Sequence, residues 1–245
     1  MGFLALIAAL AVAASSGSGD PTIQALRATV PLPQISLDPP PPKVKGPSFP
    51  IATVRAGHRI ALRASPHGRV IASVGDRTEF DSIRVFWIEE VRGAWFGVPA
   101  PELPDGQLAW IRDDRFALDV SQTRFWIDAN VSSQTLELRY GDRLLDRFPV
   151  SVGSPSSPTP PGNYSVTDGV VGKGLGPWYG CCALALSGHQ PNLPPGWIGG
   201  DRMAIHGTPG AIGGAVSHGC LRASDPDMIS LFARVPLGAP VFIHA

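Results

Sequence analysis

The residues whose types and spacing carry the most chemistry are His206, in Ile205-His206-Gly207-Thr208, and Cys220, in Ser217-His218-Gly219-Cys220-Leu221-Arg222. Thirteen residues lie between them. A thiol reacts as its thiolate, and an imidazole brought beside it can take the proton or hold the ion pair. Glycine next to the thiol lets the backbone approach a carbonyl carbon closely. Adjacent N–H groups can then bind the developing oxyanion, where one donor is worth about 3 kcal/mol in the transition state. Singly, a strand-end histidine reads as a satisfied core group, and a lone cysteine as a small buried hydrophobe. Together the two point to nucleophilic acyl transfer.

To bring them together the chain needs a strand for His206 and a loop for Cys220. Residues 202–206 read as that strand, and 239–244 as a last one. One helix lies between. Ser224 or Asp225 caps it, Pro226 suits its first turn, and Met228, Leu231, Phe232 and Val235 share one face before Pro236 and Gly238 end it. Upstream, 126–129, 135–140 and 143–152 read as strands, with Gly141-Asp142 as a turn. A loop covers 153–161 and a strand 163–167. The Gly- and Pro-rich stretch 168–200 is expected as long loops carrying Cys181, Cys182 and His189. Before this body, short strands at 59–63, 69–74, 83–90, 94–98 and 107–112, with Val91-Arg92-Gly93 as a turn, suggest a small barrel. Trp87, Trp95 and Trp110 could line a groove there, but core packing is the expected use of each. His58, His67 and His244 lack a motif and read as surface or structural groups.

With the two motifs in place, the second half resembles the L,D-transpeptidase catalytic domain family, the YkuD-like domain. Thr159-Pro160-Pro161-Gly162 resembles that family's turn before a strand. His206-Gly207-Thr208 and Ser217-His218-Gly219-Cys220-Leu221-Arg222 match its signature block, and the capped helix and terminal strand fit. The resemblance implies that Cys220 is the nucleophile and His206 the general base, with Gly207 orienting His206 through its carbonyl. It implies oxyanion donors at Gly219, Cys220 and His218, and substrate contacts at Arg222, Ser217 and His218, with Trp178 and Tyr179 as apolar walls. The implied partner is a peptidoglycan stem tetrapeptide. Cys220 would displace terminal D-Ala, and an amine of a neighbouring stem would take the acyl group in a 3→3 cross-link. With water as acceptor the enzyme would be an L,D-carboxypeptidase. The family is acylated by carbapenems. Some members carry Ser and Asn where this chain has Gly207 and Arg222. An arginine there suits a substrate carboxylate through its planar fork. The first body resembles the small Src-homology-type barrels of bacterial wall enzymes.

The expected fold is thus mainly β: a small barrel at 51–120, then a β-rich L,D-transpeptidase catalytic domain with one packed helix at 121–245. Residues 1–19 read as a signal peptide, since Gly2 to Ala14 is uncharged, too short to span a bilayer, and contains the small-x-small Ala11-Val12-Ala13. Residues 20–50 include Pro39 to Pro42 and read as a polyproline spacer. The implied location is exported, in the periplasm or cell wall, with no stable membrane insertion after signal cleavage.

The 28 glycines and 26 prolines among 245 residues point to loops rather than a helical bundle. Twenty basic residues balance twenty acidic ones, which argues against nucleic acid as a partner. Adjacent Cys181 and Cys182 could close only a strained ring and lack the Cys-x-x-Cys spacing of zinc sites, so two free thiols are expected. Nothing in the sequence demands a metal or other cofactor. The rival from another class is a wall-binding protein with a silent catalytic domain, against which the intact His206 and Cys220 argue. Papain-like and NlpC-type peptidases place Cys before His along the chain, the reverse of the order here.

Overall fold

A computed structural model describes residues 45–245; the expected signal segment and nearly all of the expected spacer lie outside the described residues. The fold is mainly β, with eighteen strands and one α-helix among the described residues.

The first eight strands are β1 (Phe49–Val54), β2 (Arg59–Arg63), β3 (Val70–Gly75), β4 (Val85–Trp87), β5 (Glu90–Arg92), β6 (Trp95–Pro99), β7 (Leu108–Arg112) and β8 (Leu118–Thr123). They form a three-stranded sheet, β4-β1-β8, and a five-stranded sheet, β3-β2-β7-β6-β5. Alternate side chains of both sheets meet in one core that includes Ala52, Ile60, Leu62, Phe86, Phe96, Ile111 and Leu118. The single strand expected over 83–90 is divided, because Val85–Trp87 pairs with β1 whereas Glu90–Arg92 pairs with β6. The expected turn at 91–93 sits later, since Val91 and Arg92 are in β5 and Gly93 turns the chain with φ +59°. Trp87, Trp95 and Trp110 are all buried. Both expected boundaries fall inside strands, residue 50 in β1 and residues 120 and 121 in β8.

The later strands are β9 (Phe125–Asn130), β10 (Thr135–Tyr140), β11 (Arg143–Pro149), β12 (Val152–Gly153), β13 (Gly162–Val171), β14 (Cys182–His189), β15 (Arg202–Gly207), β16 (Ala215–Ser217), β17 (Leu221–Ala223) and β18 (Pro240–His244). Eight of them make one sheet, β11-β10-β9-β18-β13-β14-β15-β17. Long β13 spans its two halves, pairing with β18 through 162–165 and with β14 through 166–171. Just past β11, Ser151 exchanges backbone hydrogen bonds of 2.9 Å with Arg222 on β17, which curls the sheet toward closure.

The stretch 168–200 departs from expectation by containing β14, a strand inside the sheet. Its Cys-Ala-Leu-Ala-Leu-Ser run is buried on both faces. A strand covered on both sides shows no polar alternation, so its period is hidden.

Strand alternation then sorts the site from the core. Cys182, Leu184 and Leu186 of β14, Met203 and Ile205 of β15, and Leu221 and Ala223 of β17 enter the core. Helix α1 (Asp225–Arg234) covers that face with Met228 and Leu231. Each such fully buried Leu or Ile stabilises by about 1.5–3 kcal/mol. Ser224 caps the helix by accepting the Asp227 N–H, with Pro226 in the first turn. The residues between, Ala183 and Ala185, Ala204 and His206, and Arg222, face the other way.

The described strands belong to one compact unit. Trp87 of the first body packs edge-on with Phe242, Phe49 packs on Phe242 at a tilt, and both Phe49 and Phe242 meet Trp126 edge-on, at centroid separations of 5.6–6.3 Å.

Candidate active site

His206 is the penultimate residue of β15 and Cys220 precedes β17, and these strands are parallel neighbours in which His206 pairs with Arg222. Cys220 therefore lies one strand over from Ala204, two residues short of His206 on the same face. The side chains on the adjoining positions of that face, Ala183, Ala185 and Ala204, are single methyl groups, and all three are buried.

His206 is buried, and its Nδ1 lies 2.6 Å from the Gly207 carbonyl oxygen. A carbonyl can only accept, so Nδ1 carries the proton and Nε2 is left as a base. Burial pushes the His206 pKa down to about 4, helped by the Arg222 charge and opposed by the Gly207 hydrogen bond. The Cys220 thiol is pushed up by burial, while the Ala204 N–H and Arg222 act against that rise. Both shifts favour the uncharged forms, so at neutral pH the pair rests as thiol and neutral imidazole. The thiol's own hydrogen bond runs to the Arg202 carbonyl oxygen at 3.9 Å rather than to His206. Catalytic hydrogen bonds are often long before substrate binds.

The Cys220 loop is held by hydrogen bonds from below. Buried Ser217 donates from Oγ to the Cys220 carbonyl at 2.6 Å and accepts the Gly219 N–H at 3.0 Å. Gly219 is therefore committed within the loop, whereas the Cys220 N–H has no protein acceptor among the described residues. Thr159, first residue of the Thr-Pro-Pro-Gly turn, accepts the Gly153 N–H and donates to the Gly219 carbonyl at 2.7 Å. Gly219 has φ +116°, and a methyl group there would strike the Gln190 amide. Gln190 in turn donates to the Pro158 carbonyl at 2.8 Å. Gly207 is equally constrained, since a side chain would meet the Asp225 carboxylate that accepts the Cys181 N–H.

Tyr179 reaches the site, its ring centroid 4.7 Å from that of His206. Trp178, beside it, is 75% exposed. The His218 ring packs against Trp197 at a tilt of 48°, with centroids 4.8 Å apart, on the exposed side of the loop. Arg222 is half-buried, and its Nε finds no hydrogen-bond partner. Cys181 and Cys182 are free thiols with sulfurs 2.6 Å apart, Cys182 in the core beneath the site. Burial raises the pKa of both. Among the described residues no cluster of His, Cys, Asp and Glu is placed to hold a metal ion.

The arrangement offers a thiol, a base of fixed tautomer and a free N–H. Its residues also match a known family, described as the L,D-transpeptidase catalytic domain, over 124–243. Residues 124–243 carry the YkuD L,D-transpeptidase catalytic domain.

Relatives agree over the same half. The YkuD protein of Bacillus subtilis, which bears L,D-transpeptidase as a provisional name, is 32% identical over 122 residues, 49% of this chain and 66% of its own. Its Bacillus licheniformis counterpart, named likewise, is 34% identical over 48% of this chain and 64% of its own. The chain thus spans about two thirds of the length of these relatives. Among solved structures, L,D-transpeptidase 3 from Mycobacterium tuberculosis is 18% identical, covering 56% of this chain and 74% of that one, with a TM-score of 0.41.

Thr159, Gln190, Trp197 and Asp225 are the residues of the L,D-transpeptidase domain that sequence reasoning did not place at the site. The turn motif pointed toward Thr159. Asp225 follows Cys220 by five residues but reads in the sequence only as a helix cap. Gln190 and Trp197 lie before β15, and their proximity to the Cys220 loop has no local signal.

Proposed function

We propose that this protein is a peptidoglycan L,D-transpeptidase. The observation that carries the reading is the His206–Gly207 contact beside the Cys220 loop, because it leaves Nε2 unprotonated on the face that bears the thiol. Cys220 attacks the carbonyl between the third residue of a stem tetrapeptide and its terminal D-Ala as His206 Nε2 takes the thiol proton. The tetrahedral oxyanion is held by the Cys220 N–H and, after loop adjustment, by those of His218 and Gly219. Collapse breaks the C–N bond, and His206 returns its proton to the departing D-Ala amine. The side-chain amine of a neighbouring stem then attacks the thioester, His206 takes its proton, the C–N bond forms, and the C–S bond breaks to restore the thiol.

In this reading Gly207 orients His206, Ser217 and Thr159 hold the loop, and Tyr179 packs on the catalytic ring. Arg222 assists burial in keeping His206 neutral and presents its charge to a substrate carboxylate. Trp178 and His218 stand at the rim as substrate contacts. Water in the second step would give L,D-carboxypeptidase activity. Export to the wall, led by residues 1–19 and the spacer, follows from the substrate; among the described residues no helix is long and apolar enough to cross a membrane. The strands before the domain serve as a Src-homology-type barrel supporting it.

Intact mass after exposure to a carbapenem tests the reading. The expected result is a single adduct that is absent in Cys220→Ala. A folded wild-type protein that stays unmodified would contradict it.

A further inference from the structure

On the same face as the thiol, the sheet leads to a cavity of about 100 Å³ against the first body. It is lined by Thr78, Glu79, Arg84, Glu102, Asp168 and Arg202, together with Pro101. Strand register aligns it with the nucleophile. Asp168 pairs with Ala185, Ala185 with Ala204, and Cys220 follows on the next strand. Three strand spacings separate Asp168 from Cys220, about 14 Å between Cα atoms. The two positions between them, Ala185 and Ala204, carry only methyl groups, and both are buried. Arg202 joins the two ends, since its carbonyl meets the Cys220 thiol and its guanidinium lines the cavity.

The cavity has one unmet buried acceptor and no unmet buried donor among its lining side chains. Asp168 is fully buried. Its Oδ1 takes the Thr78 hydroxyl, but its Oδ2 has no hydrogen-bond partner, the nearest cation being Arg202 at 3.8 Å. Both arginines are already engaged. Arg84 donates to Glu102 and to the Gly75 and Arg77 carbonyls at 2.9–3.1 Å. Arg202 donates to Glu79, Thr167 and the Leu186 carbonyl at 2.6–3.0 Å. Three carboxylates face two guanidinium groups, so one positive charge with donors to spare completes the site. A buried carboxylate oxygen without a partner is costly unless water or a ligand supplies one.

We propose that this cavity receives the distal ammonium of the third-residue diamino acid of the donor stem, with Asp168 as its main partner. The inference rests on the transpeptidase reading above and names the substrate feature that reading leaves open. Once the acyl carbon is bonded to the Cys220 sulfur, the distal amine lies five bonds from its own Cα, about 6 Å when extended. The thioester linkage at one end, and a hydrogen bond plus the Asp168 side chain at the other, span the rest of the row. An ammonium hydrogen-bonded to a buried carboxylate is a strong contact, whereas a deaminated side chain would leave Asp168 unpaired.

The test compares matched tetrapeptide donors with and without the distal amine, made with diaminopimelate and with lysine at the third position, and follows D-Ala release. Wild type should show a KM about tenfold or more lower for the amine-bearing donor. In Asp168→Asn the two donors should converge to within about twofold. Glu79→Gln, at an exposed position, should weaken the preference partially and serves as the second variant if Asp168→Asn melts early. Equal KM values for both donors in wild type would overturn the inference while leaving the reaction intact, as would full preference retained in Asp168→Asn. A cavity that holds only water would give that equality. If neither donor releases D-Ala, the transpeptidase reading fails and this inference with it.

Discussion

Lowering the pH should separate a neutral Cys220–His206 pair from a resting ion pair. Burial holds the His206 pKa at about 4 instead of 6.5. That difference corresponds to roughly 3 kcal/mol in favour of the uncharged ring. For catalysis, His206 then stays a competent base far below neutrality. The rate of Cys220 acylation by a carbapenem, followed by stopped-flow or quenched mass spectrometry, should hold level from pH 7 to pH 5 and fall with a midpoint near 4. For stability, the unfolded chain takes its proton near 6.5 while the folded chain resists until about 4. Between those values the unfolded state holds more protons, so stability is full above 6.5 and drops as pH falls through the window, by up to about 3 kcal/mol from this residue. His206→Gln should flatten that part of the denaturation profile. An acid limb centred near 6.5, with no His206-dependent loss of stability below it, would refute the burial argument.

Four further outcomes follow from the same geometry. Arg222→Gln removes the charge that assists the depression, so the acid limb should rise but stay below 6.5, because burial is the larger cause; an unmoved limb would count against the coupling. Gly219→Ala meets both a positive φ and the Gln190 amide, and should cost about 1–3 kcal/mol of stability and most acylation, read by melting and adduct formation. Thr159→Val leaves the Gly153 N–H and the Gly219 carbonyl without their shared partner. It should cost about 1–3 kcal/mol in a denaturant titration and slow acylation. Phe242→Ala, at the centre of the aromatic cluster between the two bodies, should destabilise by about 3 kcal/mol, with little change in acylation rate measured well below the melting temperature.

How much of this was legible in the sequence depended on where the controlling partner lies. Helix α1 was read nearly to the residue, because Ser224, Pro226 and the apolar face at Met228 and Leu231 are local signals. The strand ending at His206 and the Thr159 turn were local too. Strand β14 was not, because burial on both faces erases alternation and its neighbours are Gly and Pro. The division of residues 83–90 between β4 and β5 is set by which strand each half pairs with, information that resides in β1 and β6. At the site, the chemistry of His206 and Cys220 stood out as a motif. The commitment of the Gly219 N–H to Ser217, the packing of Trp197 on His218 and the Asp225 carboxylate behind Gly207 depend on tertiary contacts alone.

The most direct test of the central claim is the product formed from a defined disaccharide-tetrapeptide. Chromatography and mass spectrometry should reveal a dimer joined between two third residues, with one D-Ala released per cross-link and none in Cys220→Ala. Release of D-Ala with tripeptide as the sole product would contradict the transpeptidase assignment.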